Sequence, residues 1–121
     1  MLFRSHDLGV LWRERTGLPM VFAVWAARRD VADERLMALD RALAGAIADA
    51  SEHAALVAQA AAERYGYPAG YLARYFEKLR YAFGPRERDG LRRYFELAAE
   101  AGIIETAPAL VFAGDRQGAL G

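Results

Sequence analysis

Few side chains in this sequence can do chemistry, and their spacing excludes most reactions. His6 and His53 are the only histidines. Neither has a second histidine four residues on, nor an acidic neighbour spaced as in a metal site, so no metal centre is expected. Neither sits where a general base would be expected. Cysteine is absent, which removes thiolate nucleophiles, disulfides and Cys-ligated metals and leaves the redox compartment undetermined. Ser5 and Ser51 lack the context of a nucleophile elbow, and Gly66 and Gly70 flank a proline turn rather than form a phosphate loop. Arg86, Arg88, Arg92 and Arg93 make the densest basic cluster, beside Tyr94. Glu87, Asp89 and Glu96 interleave and cancel most of that field, so the cluster reads as a solvated helix face rather than a nucleic-acid surface. Glu96 and Glu100 read as ordinary surface on the same helix.

Thr16-Gly17-Leu18-Pro19 is the remaining candidate. A crossover of this kind exposes backbone N–H groups and a hydroxyl suited to a carboxylate, with Trp12 placed to floor the same cleft. The plainer alternative is a helix stop followed by a strand start, with Trp12 a core residue of an amphipathic helix. The residues alone favour the plainer one.

The elements around this turn can be read in order. Leu8, Leu11, Trp12 and Arg15 share one side of a short helix, Gly17 stands where it stops, and Pro19 follows. Met20, Phe22 and Val24 then alternate with Val21, Ala23 and Trp25, giving a strand apolar on both faces. Such a strand belongs inside a covered sheet, as in α/β folds, and Trp25 is assigned to the core. Asp30, Asp33 and Glu34 mark a helix start. Leu36, Leu39, Leu43, Ile47, Ala50, Ala54, Val57 and Ala61 carry helical spacing from about residue 31 to 65. Asp49 and Glu52 have capping-box spacing, allowing a break near Ala50, and Gly66 ends the run. Pro68 opens another helix bearing Leu72, Tyr75, Phe76 and Leu79. Tyr81–Phe83 is expected to be short and extended before the turn at Gly84-Pro85. A last helix carries Leu91, Tyr94, Phe95 and Ala98 inward, and Gly102 stops it with Ile103 covering its final turn. Gly90 costs this helix about 1 kcal/mol against alanine. It marks either tight packing or a later helix start. The tail, Leu110–Ala113 and the Gly-rich polar residues after it, is either a short strand or disordered.

At 121 residues, 55% of them hydrophobic, the chain is one domain or less with enough apolar material for a modest core. Sixteen basic residues balance sixteen acidic ones, so no net field draws in nucleic acid or an anionic membrane. The longest apolar run, Leu18 to Ala27, is too short to span a bilayer. No signal-peptide pattern follows Met1, and the default expectation is a cytoplasmic protein.

Asp7-Leu8-Gly9, Trp12 and Thr16–Pro19, followed by Val21-Phe22-Ala23-Val24-Trp25, resemble a signature of the chorismate dehydratases of the futalosine route to menaquinone. The likeness continues through Tyr71-Leu72, Tyr81, Phe83-Gly84, Gly90-Leu91 and Phe95 to Gly102-Ile103-Ile104. It thus covers residues 7–105, with 106–121 a tail. The resemblance implies an α/β fold, the C-terminal segment of a lobe similar to type II periplasmic binding proteins, mostly helical with one or two strands. It implies a carbon–oxygen lyase that removes water from chorismate and leaves an enolpyruvyl-oxy benzoate, with no metal or organic cofactor. It also places Trp12, Thr16, Gly17, Leu18 and Pro19 at the substrate, Thr16 and Gly17 foremost. No residue here can be assigned as the base or as the acid for the departing hydroxyl.

Members of that family are more than twice this length and match only in their C-terminal part, so a partial enzyme, inactive alone, is expected. The strand at Met20–Trp25 makes the same point independently. Only Tyr81–Phe83 and Leu110–Ala113 are available to pair with it, and each unmade buried backbone bond costs about 1–3 kcal/mol. Its partners are expected from an N-terminal half or from a second copy in a homodimer. A helical or water-exposed Val21–Val24 is expected to overturn both the kinship and the enzyme assignment. Two other functions fit the sequence: the sister dihydroxynaphthoate synthase, against which Phe22 and Trp25 weigh, and a non-catalytic solute-binding lobe or self-associating chain.

Overall fold

Asp7 starts the first helix by accepting hydrogen bonds on its carboxylate from the N–H groups of Gly9 and Val10, at 2.9 and 3.1 Å. The computed structural model describes residues 5–114. It contains α1 (Leu8–Thr16), α2 (Asp33–Glu52), α3 (Ala54–Tyr65), α4 (Ala69–Lys78) and α5 (Pro85–Glu100). Most helix ends follow the sequence signals, but α2 starts after Ala32 with no side-chain cap, because the Asp30 carboxylate expected near that start pairs with Arg28 at 2.7 Å instead. Gly17, Gly66 and Gly102 adopt positive φ of 70–72° and close α1, α3 and α5, a conformation that costs other residues a Cβ clash. The long apolar run breaks at His53, which ends α2 and begins α3, three residues beyond the expected point. Its ring Nδ1 lies 3.0 Å from the Asp49 carbonyl, and no capping box forms.

The chain forms two compact units. One joins the described residues up to Ala26 to Ala82–Phe112, and so contains α1 and α5. In it, the Glu87 carboxylate accepts the Gly84 N–H at 2.9 Å; Gly84 has no side chain to return the bond. After α5, Gly102 N–H donates to the Ala99 carbonyl and Ile103 N–H to that of Ala98, both at 2.9 Å, which is the Schellman pattern. The Ile103 side chain does not cover the turn as expected; it is 78% exposed. The other unit holds α2, α3 and α4. Leu72 of α4 and Ala58 of α3, 7% and 2% exposed, form its core, where these two helices pack. Leu39, Ile47 and Val57 of the expected apolar stripe remain on the surface.

The chain is mostly helical, as expected, but the expected strands are not formed: no strand occurs among the described residues. Met20–Trp25 lacks helix and lacks a ladder. Phe22 and Trp25, at 74% and 83% exposed, are far from the core position assigned to Trp25. The physical reason is the pairing shortage itself. Tyr81–Phe83 and Leu110–Ala113 form no ladder; instead Phe83 and Phe112 pack ring on ring with centroids 5.6 Å apart. An extended segment without a neighbour exchanging N–H and C=O bonds stays open to water.

Candidate functional site

The Thr16–Pro19 turn is held by its own side chains and by one face of α5. The Thr16 hydroxyl donates to the Trp12 carbonyl at 2.8 Å and accepts the Leu18 N–H at 3.2 Å. Gly17 N–H donates to the Arg13 carbonyl at 2.8 Å, and Pro19 has no N–H. The backbone donors and hydroxyl that the sequence offers to a carboxylate are thus engaged inside the turn. Two of its carbonyls are also engaged. Gly17 O accepts from the Arg86 guanidinium at 2.8 Å, and Pro19 O accepts from the Trp12 indole N–H at 3.2 Å. Trp12 in turn lies against Tyr94, ring centroids 5.9 Å apart.

Gly90 explains how α5 comes so near. It is buried, and a Cβ placed on it would collide with the Pro19 carbonyl oxygen. Of the two readings of this glycine, close packing is the one observed; the helix starts at Pro85. On α1, Gly9 serves similarly, since a Cβ there would meet the Phe22 ring at 3.1 Å.

Beside the turn is an open depression of about 460 Å³ lined by Arg15, Thr16, Leu18, Arg93 and Leu97. Two of the five expected site residues, Thr16 and Leu18, line it; Trp12, Gly17 and Pro19 shape the turn instead. Arg93 bonds to Glu96 at 3.2 Å and Glu100 at 3.1 Å. These two hydrogen bonds, Glu96 first, raise the Arg93 pKa above its ordinary value. The arginine cluster is thus more than a solvated face: Arg88 and Arg92 lie over the Phe112 ring at 4.2 and 5.4 Å, and Arg92 also meets Asp89 at 3.0 Å. Chemically, the depression offers guanidinium donors beside the apolar surfaces of two leucines, a setting for a carboxylate on a ring. Among the described residues no three His, Asp or Glu side chains converge as a metal site would require.

Sequence reasoning missed Arg15, Arg86, Arg93 and Leu97. A signal was present, because Arg86, Gly90, Arg93 and Leu97 stand at i, i+4, i+7 and i+11, one stripe of a helix. A glycine within such a stripe marks close backbone approach. The apolar positions Leu91 and Phe95 drew attention to a neighbouring stripe instead.

A profile described as menaquinone biosynthesis matches residues 1–100. The chain is similar to chorismate dehydratase of Thermus thermophilus, 39% identical over 90 residues, which are 74% of this chain and 32% of that protein. It is also similar to 1,4-dihydroxy-6-naphtoate synthase of the same organism, 45% identical over 52 residues, 43% of this chain and 19% of that protein. The chain therefore spans about a third or less of the length of these curated relatives. No solved structure gives a significant match. The kinship stands although Phe22 and Val24 are exposed, because the match runs over the turn and α5 together and does not depend on a formed sheet. By that match along most of its length, the chain belongs to the menaquinone biosynthesis family.

Proposed function

We propose that this chain is the C-terminal part of a chorismate dehydratase, a lyase that eliminates water from chorismate, and that the depression beside Thr16–Pro19 holds a carboxylate of the substrate. The observation that carries this is the depression in which Arg15 and Arg93 line one space with Thr16 and Leu18 of the family-like turn. Leu18 and Leu97 supply apolar surface for the ring. Similarity to the Thermus dehydratase over 74% of the chain supports the same reading. The similarity to the naphtoate synthase over 52 residues favours a second reading, in which the ring presented to the turn is that of the sister reaction. Phe22 and Trp25 after the turn weigh toward the dehydratase.

No residue of this chain can be assigned to the base or the acid role, and elimination needs both. Chorismate incubated with the 121-residue chain, followed by absorbance for the aromatic product, is expected to remain unconverted. Adding the N-terminal two thirds of the Thermus dehydratase tests whether a complete site forms. Conversion then would favour the dehydratase, and conversion by the chain alone would overturn the partial-enzyme reading. The Met20–Trp25 segment, exposed from Phe22 to Trp25, is the surface on which such a half, or a second copy, would add a strand.

A further inference from the structure

Within that reading of the depression, on which this inference rests, we infer that the ligand carboxylate is bound by the Arg15 guanidinium and not by the Thr16–Pro19 turn or by Arg93. Three observations lead there. The first is that the turn has nothing left to donate: the Gly17 and Leu18 N–H groups and the Thr16 hydroxyl hydrogen are all engaged in bonds of 2.8–3.2 Å. A carboxylate accepts only, so these groups would have to break existing bonds to meet it. The second is that Arg93 already bonds two carboxylates, Glu96 and Glu100. A third carboxylate arriving there meets two negative charges for one positive. The third is that Arg15, at the last turn of α1, lines the depression and its guanidinium makes no hydrogen bond or ion pair among the described residues. Its planar fork is the geometry that takes a carboxylate with two parallel bonds. Leu18 and Leu97 on the same lining fit the ring of an aromatic or cyclohexadienyl acid, so the ligand class is a cyclic carboxylic acid with one carboxylate at Arg15.

The test is calorimetric titration of the full 121-residue chain with chorismate and with benzoate, using benzamide as the neutral control. Wild type is expected to bind both acids and to ignore benzamide. Arg15→Gln is expected to weaken acid binding roughly tenfold, a charge-assisted bond at a partly solvated site. Arg15→Lys keeps the charge but not the fork and is expected to fall between the two. The Glu96→Gln, Glu100→Gln double variant should tighten acid binding several-fold, because Arg93 is then released toward the ligand. Arg15 is exposed, so loss of folding is not anticipated; unchanged circular dichroism of Arg15→Gln verifies this. If wild type binds no acid at all, the reading of the depression fails. If wild type binds and Arg15→Gln binds equally well, that reading survives and the assignment of Arg15 is overturned.

Discussion

Gly90 and Gly45 both interrupt helices, yet the structure gives them opposite roles. In α2, a Cβ on Gly45 would meet nothing within 4 Å, so Gly45→Ala should gain about 0.5–1 kcal/mol from helix propensity alone. In α5 the same change drives a methyl into the Pro19 carbonyl, and backbone cannot yield as a flexible side chain does. Gly90→Ala should therefore lose about 1–3 kcal/mol net. Urea midpoints of the two variants check the pair: a rise for the first and a fall for the second. Propensity predicts a rise for both. The sequence shows both glycines with equal clarity, but only the approach of the Thr16–Pro19 turn separates them. Trp12 illustrates the same limit. Its place on the first helix was legible from spacing, whereas the bond from its indole to Pro19 depends on a chain reversal seven residues long.

The helices themselves were largely legible, because what starts and stops a helix acts within about four residues. Asp7, Gly17 and Gly102 do their work through local hydrogen bonds and Pro85 through its fixed φ, and each stands where its residue type predicts. Apolar stripes are less faithful. On α4, Leu72 is buried but Tyr75 is half exposed, and on α3 Val57 of the expected stripe is 39% exposed, with Leu56 beside it more exposed still. Periodicity gives the face a helix offers, not whether a neighbour covers it. Leu72→Ala should consequently cost about 2–4 kcal/mol, since it empties the contact between α3 and α4. Leu56→Ala should stay within about 0.5 kcal/mol of wild type. Thermal unfolding followed by circular dichroism separates them; equal losses would mean that α3 is buried in solution by a partner.

For the molecule as a whole, the decisive segment is Met20–Trp25. Phe22, Val24 and Trp25 all lie open to solvent on a chain with an unpaired backbone, the arrangement that invites strand addition. Sedimentation velocity should show association rising with concentration, and the Phe22→Ser, Trp25→Ser double variant should remain monomeric. A monomeric wild type at every concentration would count against strand pairing between copies. The sequence by itself determined the family-like turn, the helix boundaries and the apolar ribbon, since each is written in residue types a few positions apart. Only the tertiary structure decided that the ribbon is uncovered, that the turn's own donors are engaged, and that arginines from α1 and α5 meet at one depression. Those facts depend on contacts between residues up to about seventy positions apart, such as Arg86 with Gly17, and no local pattern encodes a contact at that separation.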